Sequence, residues 1–252
     1  MGTLGRVPQN LTSLSVVLPC FDEAPNVAAA VAQAHAAASA AADEHEVVVV
    51  DDGSTDQTGA IADALAALDA RVRVVHHDRN RGYGAAVRSG IAATRFEWVL
   101  LTDGDLQFDL SQLERFVPLA FAHDLVAGYR LDRADPLGRR LAAGAWNQLV
   151  RVGFGVRVRD VDCAFKLARG PAVRALPLSS DGAMISTELF VRAAQAQWRV
   201  FELGVEHRPR VAGEASGGDL RVILRAFHEL RELRARLRSE RRGEPQARPT
   251  TA

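Results

Sequence analysis

The sequence predicts an α/β protein: a mostly parallel sheet flanked by helices and followed by an amphipathic helix near the C-terminal end. Three observations predict it. Short apolar runs alternate with helix-like segments through the first half, the rhythm of right-handed β-α-β crossovers. The run Glu46–Val50 is β-branched on consecutive residues, as in strands covered on both faces. Leu220, Ile223, Leu224, Phe227, Leu230, Leu233 and Leu237 recur at helical spacing.

Taken in order, Leu14–Leu18 reads as a strand ended by Pro19, which cannot donate to a sheet ladder. Asn26 is a candidate cap for a helix running through the alanines to about Ala42. The second strand, Glu46–Val50, ends in Asp51-Asp-Gly-Ser-Thr-Asp56, a cluster of turn and helix-start residues. A helix to about Ala70 and a third strand, Val72–His76, follow. Next come Asn80-Arg-Gly-Tyr-Gly-Ala-Ala86, a helix to about Thr94, and a fourth strand, Trp98–Leu101, that runs into Asp103-Gly-Asp105.

Beyond it the pattern loosens. We expect strands at Leu125–Ala127, Val161–Leu167 and Arg199–Val205, and helices at Arg139–Val152 and Glu188–Gln197. The domain division expected is a tail over 1–13, a catalytic domain over 14–218, a basic amphipathic helix over 219–242 and a disordered tail over 243–252.

The chain has 252 residues, enough to bury a full core, and a formal net charge of zero, so global charge gives no argument for nucleic acid. Lys166 is the single lysine in a chain whose positive charge is otherwise arginine. Two cysteines, Cys20 and Cys163, without CxxC spacing, argue against a zinc site or a disulfide scaffold. No run reaches the roughly 18–20 apolar residues that span a bilayer, and Met1–Ser13 does not read as a signal peptide. The expectation is a cytoplasmic protein.

In parallel α/β sheets, ligands bind beyond the carboxyl ends of the strands. Pro19–Glu23, Asp51-Asp52 and Asp103–Asp105 all fall there. Asp103 and Asp105, two residues apart at the end of a buried strand, repel each other, and a divalent cation relieves that repulsion. Mg²⁺ and Mn²⁺ favour such oxygen ligands and share them with substrate phosphates. Gln107 offers an amide oxygen as a further metal ligand. A polar turn closing the strand is the plainer alternative. Asp51 and Asp52 exceed what a helix cap needs and are candidates to accept hydrogen bonds from a base or a ribose. Gly82 and Gly84 let the backbone approach a ligand closely. No GK[ST] follows them, so the segment is not a phosphate-binding P-loop.

In order and spacing, Pro19-Cys-Phe-Asp-Glu23, Asp51-Asp-Gly-Ser-Thr-Asp56, Asn80-x-Gly-x-Gly-x-Ala86 and Thr102-Asp-Gly-Asp-Leu-Gln107 resemble the family 2 inverting glycosyltransferases. These have the GT-A fold, a Rossmann-like, mostly parallel sheet. The likeness is greatest to the polyprenyl- or dolichyl-phosphate mannosyl- and glucosyltransferase branch, where a DADLQ tract corresponds to Asp103–Gln107. Gly128-Tyr-Arg130 is similar to a G-S-R segment, Arg159–Lys166 to R-D-x-x-S-G-F-K, Glu188–Ala193 to ELLxRA, and Pro209–Ser216 to R-x-x-G-x-S.

The resemblance implies a metal-dependent, inverting hexosyltransferase that moves mannose or glucose from GDP-mannose or UDP-glucose to a polyprenyl phosphate. Pro19, Phe21, Glu23, Asp51 and Asp52 would line the nucleoside pocket, with Gly82, Gly84 and Asp103 on the donor side. Asp103, Asp105 and Gln107 would hold Mg²⁺ or Mn²⁺. Arg130, Arg159, Cys163, Lys166, Arg210 and Ser216 would face the acceptor phosphate, with Asp105, Arg130 and Arg210 closest to the chemistry. A phosphate acceptor is already anionic and needs cations rather than a strong base.

The acceptor end departs from the pattern. Cys163 and Ala164 replace a serine and a glycine, Ser216 arrives one residue late, and the lysine usual after that motif is missing, with Arg221 a possible substitute. Lys166 reads equally as a strand-end surface residue. A soluble transferase using a hydroxyl acceptor would need a carboxylate base near Asp181 or Glu188. A catalytically silent nucleotide-sugar-binding module is disfavoured by the intact Asp103 and Asp105. A nucleotidyltransferase is disfavoured by the lack of a glycine-rich, lysine-bearing loop after the first strand. The arginines of 219–242 would let that helix lie peripherally on an anionic membrane, or form the solvated face of a core-packing helix.

Overall fold

The computed structural model describes residues 10–131, 148–208 and 220–241, and within the last span the side chains of residues 229–240. Its centre is a seven-stranded sheet: β1 Leu11–Cys20, β2 Ala42–Asp51, β3 Val72–His76, β4 Trp98–Leu101, β5 Leu125–Arg130, β6 Lys166–Arg169 and β7 Val200–Val205. The order across the sheet is β3-β2-β1-β4-β6-β5-β7. β1 pairs in parallel with β2 and β4, β2 with β3, and β5 with β7, whereas β6 runs antiparallel between β4 and β5. The α/β reading and the mostly parallel sheet are therefore correct.

Both faces of the sheet are covered, and this is why β2 can be apolar on consecutive residues. Val47 and Val49 join Leu14, Val16 and Leu18 in one core beneath helix α1, Val27–Ala41. Val48 and Val50 join Val17 and Val99 in a second core beneath α3, Tyr83–Ala93. The alanines explain the close packing of α1, since Ala30, Ala34 and Ala38 are buried and bring the helix backbone close to the sheet. Helix α2, Thr58–Leu68, crosses from β2 to β3. A 3₁₀ turn at Leu110–Arg115 and the short α4, Val117–Ala120, fill the first core with Leu113 and Phe116.

Residues 148–154 are helical, and the remainder of the helix expected at Arg139–Val152 lies outside the described residues. α5, Gly170–Ala175, and α6, Ile185–Gln195, follow β6. α7, Leu220–Arg241, ends the described chain, and Leu230, Leu233 and Leu237 enter the second core beside Met184, Ile185 and Leu189 of the α6 region. Arg231, Arg234 and Arg238 are exposed. The described half of α7 thus packs its apolar stripe on the protein and turns a basic face outward. No helix among the described residues is long and apolar enough to cross a membrane.

Local expectations fail in two places. The strand expected over Val161–Leu167 starts only at Lys166, because residues 161–162 form a turn and only 166–169 reach partners on β4 and β5. Asn26 precedes α1 but makes no side-chain cap; its amide donates instead to Glu23 Oε2 at 2.6 Å.

Candidate active site on the strand-end rim

The carboxyl ends of β1, β2 and β4 form one rim, and backbone amides knit its loops together. Asp22, with φ of 52°, accepts from Thr55 N at 2.7 Å and Asp56 N at 3.3 Å. In return, Asp22 N donates to Ser54 Oγ at 3.0 Å and Glu23 N to Thr58 Oγ1 at 2.8 Å. The turn-forming residues after β2 therefore fix the Pro19–Glu23 loop. On it Phe21 is exposed and Glu23 is buried.

The Asp51-Asp52 pair divides its work. Asp51 accepts from Ser54 N and faces His76 Nδ1, both at 3.0 Å. Burial alone would raise its carboxyl, but the Ser54 hydrogen bonds and His76 together lower it. Asp52 is 3% exposed and reaches His77 Nδ1 at 2.5 Å, Arg81 N at 2.9 Å and Gly82 N at 2.8 Å. It ties the glycine turn to β2. His76 and His77 were missed from sequence, although they end β3 on the same rim and the strand-end rule points to them. Beside them, with Asp78, Arg79 and Arg81, is a cleft of about 380 Å³.

Gly82 has φ of +101°, a conformation L-residues rarely adopt, and a Cβ there would fall 2.5 Å from Asp181 O. The next residue, Tyr83, reaches across the rim and donates from its hydroxyl to Asp103 Oδ1 at 3.0 Å. This link between the glycine turn and the acidic pair was also missed; the sole sequence signal is its position between Gly82 and Gly84.

Asp103 and Asp105 lie just beyond β4. Asp105 is 8% exposed and accepts from Gln107 N at 3.1 Å. Burial, and next the charge of Asp105, push the Asp103 carboxyl up to about 6. Gln107 sits beside them, but its Nε2 donates to Arg208 O at 3.2 Å. Gly104 passes directly over Cys20: a Cβ would fall 2.7 Å from Cys20 Sγ. That contact gives a physical reason for glycine where the resemblance has alanine. Gly104→Ala should lower stability by about 1–3 kcal/mol through overpacking, and adding Cys20→Ala should recover most of it. Urea denaturation of the two single variants and the double variant measures this; an equal Gly104→Ala penalty in both backgrounds would refute the contact.

Across the rim, Asp160 holds Arg130 in a two-bond fork, Nε to Oδ2 at 2.7 Å and Nη2 to Oδ1 at 2.8 Å. Burial works against the charged guanidinium, but Asp160 outweighs it and raises its affinity for the proton. Lys166 is not the surface residue that one reading allowed. It is 2% exposed, its Nζ contacts Cys163 O and lies 3.5 Å from Ser186 Oγ, and burial lowers its proton affinity. The charges of Lys166 and Arg130 both bear on Asp103. Cys163 is buried, which pushes its thiol up to about 11, and Arg159 stacks on Tyr129 with 4.6 Å to the ring centroid. Arg210 and Ser216 lie outside the described residues.

Neither carboxylate named for a hydroxyl acceptor is placed as a ready base. Glu188 is 0% exposed and accepts from Ser179 N at 2.9 Å, Ser179 Oγ at 2.8 Å and Ser180 N at 2.7 Å. Burial would raise its carboxyl, yet these bonds lower it. Asp181 is paired with Arg88.

The family model described as "Glycosyl transferase family 2" matches residues 15–155. Glycosyltransferase AglD of Haloferax volcanii is 35% identical over 84% of this chain, which spans 34% of that protein. The undecaprenyl-phosphate 4-deoxy-4-formamido-L-arabinose transferase of Aeromonas hydrophila is 30% identical over 83% of the chain and 64% of its own length. The chain thus spans between about a third and two thirds of these relatives. Among solved structures, glucosyl-3-phosphoglycerate synthase from Mycobacterium tuberculosis, in complex with Mn²⁺, UDP and glucosyl-3-phosphoglycerate, superposes with a TM-score of 0.65. That match is 21% identical and covers 94% of this chain and 82% of the other.

Proposed function

Because the chain belongs to glycosyl transferase family 2, we propose that it transfers a hexose with inversion from a nucleotide sugar to a polyprenyl phosphate. One observation carries the proposal. The Asp103–Asp105 pair, half-buried at Asp103 and buried at Asp105, lies at the end of β4, with the Arg130–Asp160 fork and Lys166 bearing on it from the other side. Anionic and cationic groups are thereby set on opposite sides of one rim. Two relatives support the acceptor by name, the L-arabinose transferase above, whose sugar is a pentose, and the dodecaprenyl-phosphate galacturonate synthase of Rhizobium johnstonii, 31% identical over 86% of this chain and 66% of that protein.

A divalent cation fits this rim. Two desolvated carboxylates, one held up to about 6 by burial and by the other's charge, form a donor set that a cation relieves. No group of three or more His, Cys, Asp or Glu side chains among the described residues could hold a metal, so diphosphate and water would complete the coordination. Asp103 and Asp105 would hold Mg²⁺ or Mn²⁺ with Gln107 beside them, and the bound ion would neutralise charge on the departing nucleoside diphosphate.

The protein's own groups do the rest. Pro19, Phe21, Glu23 and Asp51 border the nucleoside, and Asp52 keeps Gly82 and Gly84 turned toward the diphosphate. Arg130, oriented by Asp160, and Lys166 draw the acceptor phosphate to the sugar, with Arg159 and Cys163 on the same side; for Arg210 and Ser216, outside the described residues, the family resemblance alone assigns the acceptor role. An acceptor phosphate oxygen bonds to the anomeric carbon as the carbon–oxygen bond to the diphosphate breaks and its electron pair leaves with the nucleotide. A phosphate nucleophile needs no proton removed, which suits a rim for which neither candidate base, Glu188 or Asp181, is free. The exposed arginines of α7 would meet the membrane that holds the lipid.

The test is transfer from UDP-glucose or GDP-mannose, with Mg²⁺ or Mn²⁺, with and without undecaprenyl phosphate. Product on the lipid phosphate is expected; transfer only to hydroxyl acceptors would overturn the proposal.

Metal affinity should depend on pH. The metal-free Asp103 carboxyl titrates near 6, above its ordinary 3.8, so protons compete with the cation below about pH 6. Mn²⁺ affinity should therefore fall by about tenfold per pH unit below that value. For the metal-free protein the sign is opposite. Asp103 contributes stability while protonated and loses it as pH rises from 3.8 toward about 6. Calorimetric Mn²⁺ titrations and melting curves across this range, with Asp103→Asn as the control, measure both trends.

A further inference from the structure

Glu188 and helix α7 lie away from the acidic pair, yet a continuous chain of contacts joins them to the glycine turn. Glu188 gathers the Ser179 and Ser180 amides and the Ser179 hydroxyl, as described above. Arg192, one helical turn later, lies 3.5 Å from Glu188 and pairs with Glu240 of α7 through Nη2 at 2.9 Å. Arg236 of α7 donates to Ser179 Oγ from the other side. A Cβ at Gly182 would collide with the Glu229 carboxylate of α7. Residues 179–182 are thus clasped between α6 and α7.

The opposite side of the same loop presses on the glycine turn. Asp181 O accepts from Ala85 N at 3.2 Å, and the Asp181 carboxylate pairs with Arg88 of α3. A Cβ at Gly84 would collide with Ser180 O and come within 2.6 Å of Gly182 O. Gly82 and Gly84 are therefore small because this loop lies against them as well as because a ligand must approach. From the turn, Tyr83 reaches Asp103 at 3.0 Å, and Asp52 holds Arg81 N and Gly82 N.

We propose that Glu188 is a positioning residue for the donor side of the rim. Together with docked α7, it holds the 179–182 loop against Gly82–Gly84 and so sets the turn that carries Tyr83 to the acidic pair. The nucleotide part of this inference rests on the function proposed above; the mechanical part does not. The ligand class is a nucleoside diphosphate. Both backbone amides donate to one oxygen, Oε2, and the Ser179 hydroxyl to the other; a glutamine would keep an acceptor for the amides but lose the negative charge and set its NH2 against the Ser179 hydroxyl, which now donates to Oε1 and accepts from Arg236.

The test has two arms. Amide hydrogen exchange on the metal- and nucleotide-free protein compares wild type with Glu188→Gln and, independently, Arg236→Ala, which loosens the clasp from α7. Ala85, Gly82 and Arg81 amides should exchange at least about tenfold faster in both variants, with β1 and β2 amides unchanged. Faster exchange confined to Ser179 and Ser180, with Ala85 unchanged, would overturn the relay. If Glu188→Gln does not fold, Arg236→Ala alone decides the same question.

The second arm measures UDP and GDP binding with Mn²⁺ by calorimetry, and KM against kcat where turnover is found. Nucleotide affinity should weaken about tenfold, with donor KM rising, acceptor KM constant and kcat nearly so, and Glu188→Asp should restore part of it. A merely structural defect would lower the active fraction and leave donor KM unchanged; that outcome would overturn the positioning role. Relaxed turn amides together with no binding of either nucleotide to wild type would leave the relay standing and count against the function proposed above.

Discussion

Asp105→Asn is expected to keep the fold and to lose turnover by about a thousandfold or more. The asparagine carbonyl can still accept the Gln107 N–H that Asp105 accepts at 3.1 Å, so the turn after β4 stays closed. What disappears is one of two charges available to a cation. The change also removes the second-largest cause that raises the Asp103 carboxyl, after burial, so Asp103 should titrate lower. The metal-free variant should therefore melt no lower than wild type at neutral pH while binding Mn²⁺ far more weakly. Melting curves, Mn²⁺ calorimetry and single-turnover transfer distinguish these effects. Turnover within about tenfold of wild type would remove Asp105 from the machinery.

Arg130→Ala should act on stability as well as on transfer. It removes both bonds of the fork and leaves the Asp160 carboxylate, 4% exposed, without its guanidinium. Breaking one side of a buried ion pair costs about 3–5 kcal/mol, more than the net worth of the pair. The double variant Arg130→Met with Asp160→Leu should recover part of that stability, because the carboxylate that faced the guanidinium is then gone while the backbone N–H of Arg130, from which it also accepts, loses its acceptor. Transfer should stay lost in both, since neither presents a cation to the acceptor phosphate. Urea denaturation supplies the stability comparison and acceptor-dependent kinetics the functional one. Recovery of transfer by the double variant would show that Arg130 acts only as a fold element.

Much of the fold was legible because it is written locally. Pro19 ends β1, the Asp51–Asp56 cluster ends β2, and the consecutive β-branched residues of β2 announce a strand covered on both faces. Val72–His76 and Trp98–Leu101 fall where they were expected. The second half was harder to read. The segment Val161–Leu167 is apolar enough for a strand, yet strand pairing needs partners, and those exist only from Lys166 onward. Asn26 has the right chemistry for a cap, but Glu23 three residues earlier takes its amide.

At the site, residue type and strand-end position by themselves pointed to three segments on the rim: Pro19–Glu23, Asp51-Asp52 and the acidic pair. That suffices where a strand followed by a polar turn delivers its side chains to one edge of a parallel sheet; the Arg159–Lys166 segment precedes the antiparallel β6, and the family resemblance alone pointed to it. Only the tertiary structure decided what each group is committed to. It turned Asp52 into the anchor of the glycine turn, Asp160 into the partner of Arg130, Lys166 into a buried amine and Glu188 into a clasp for the loop just before its helix. These partners lie 30 residues away for Asp52 with Gly82 and for Arg130 with Asp160. Their pairing depends on β2 lying beside β3 and β6 beside β5, and on the burial that this order creates. Burial is also what makes an unpartnered charge too costly to leave, and no periodicity along the chain encodes it.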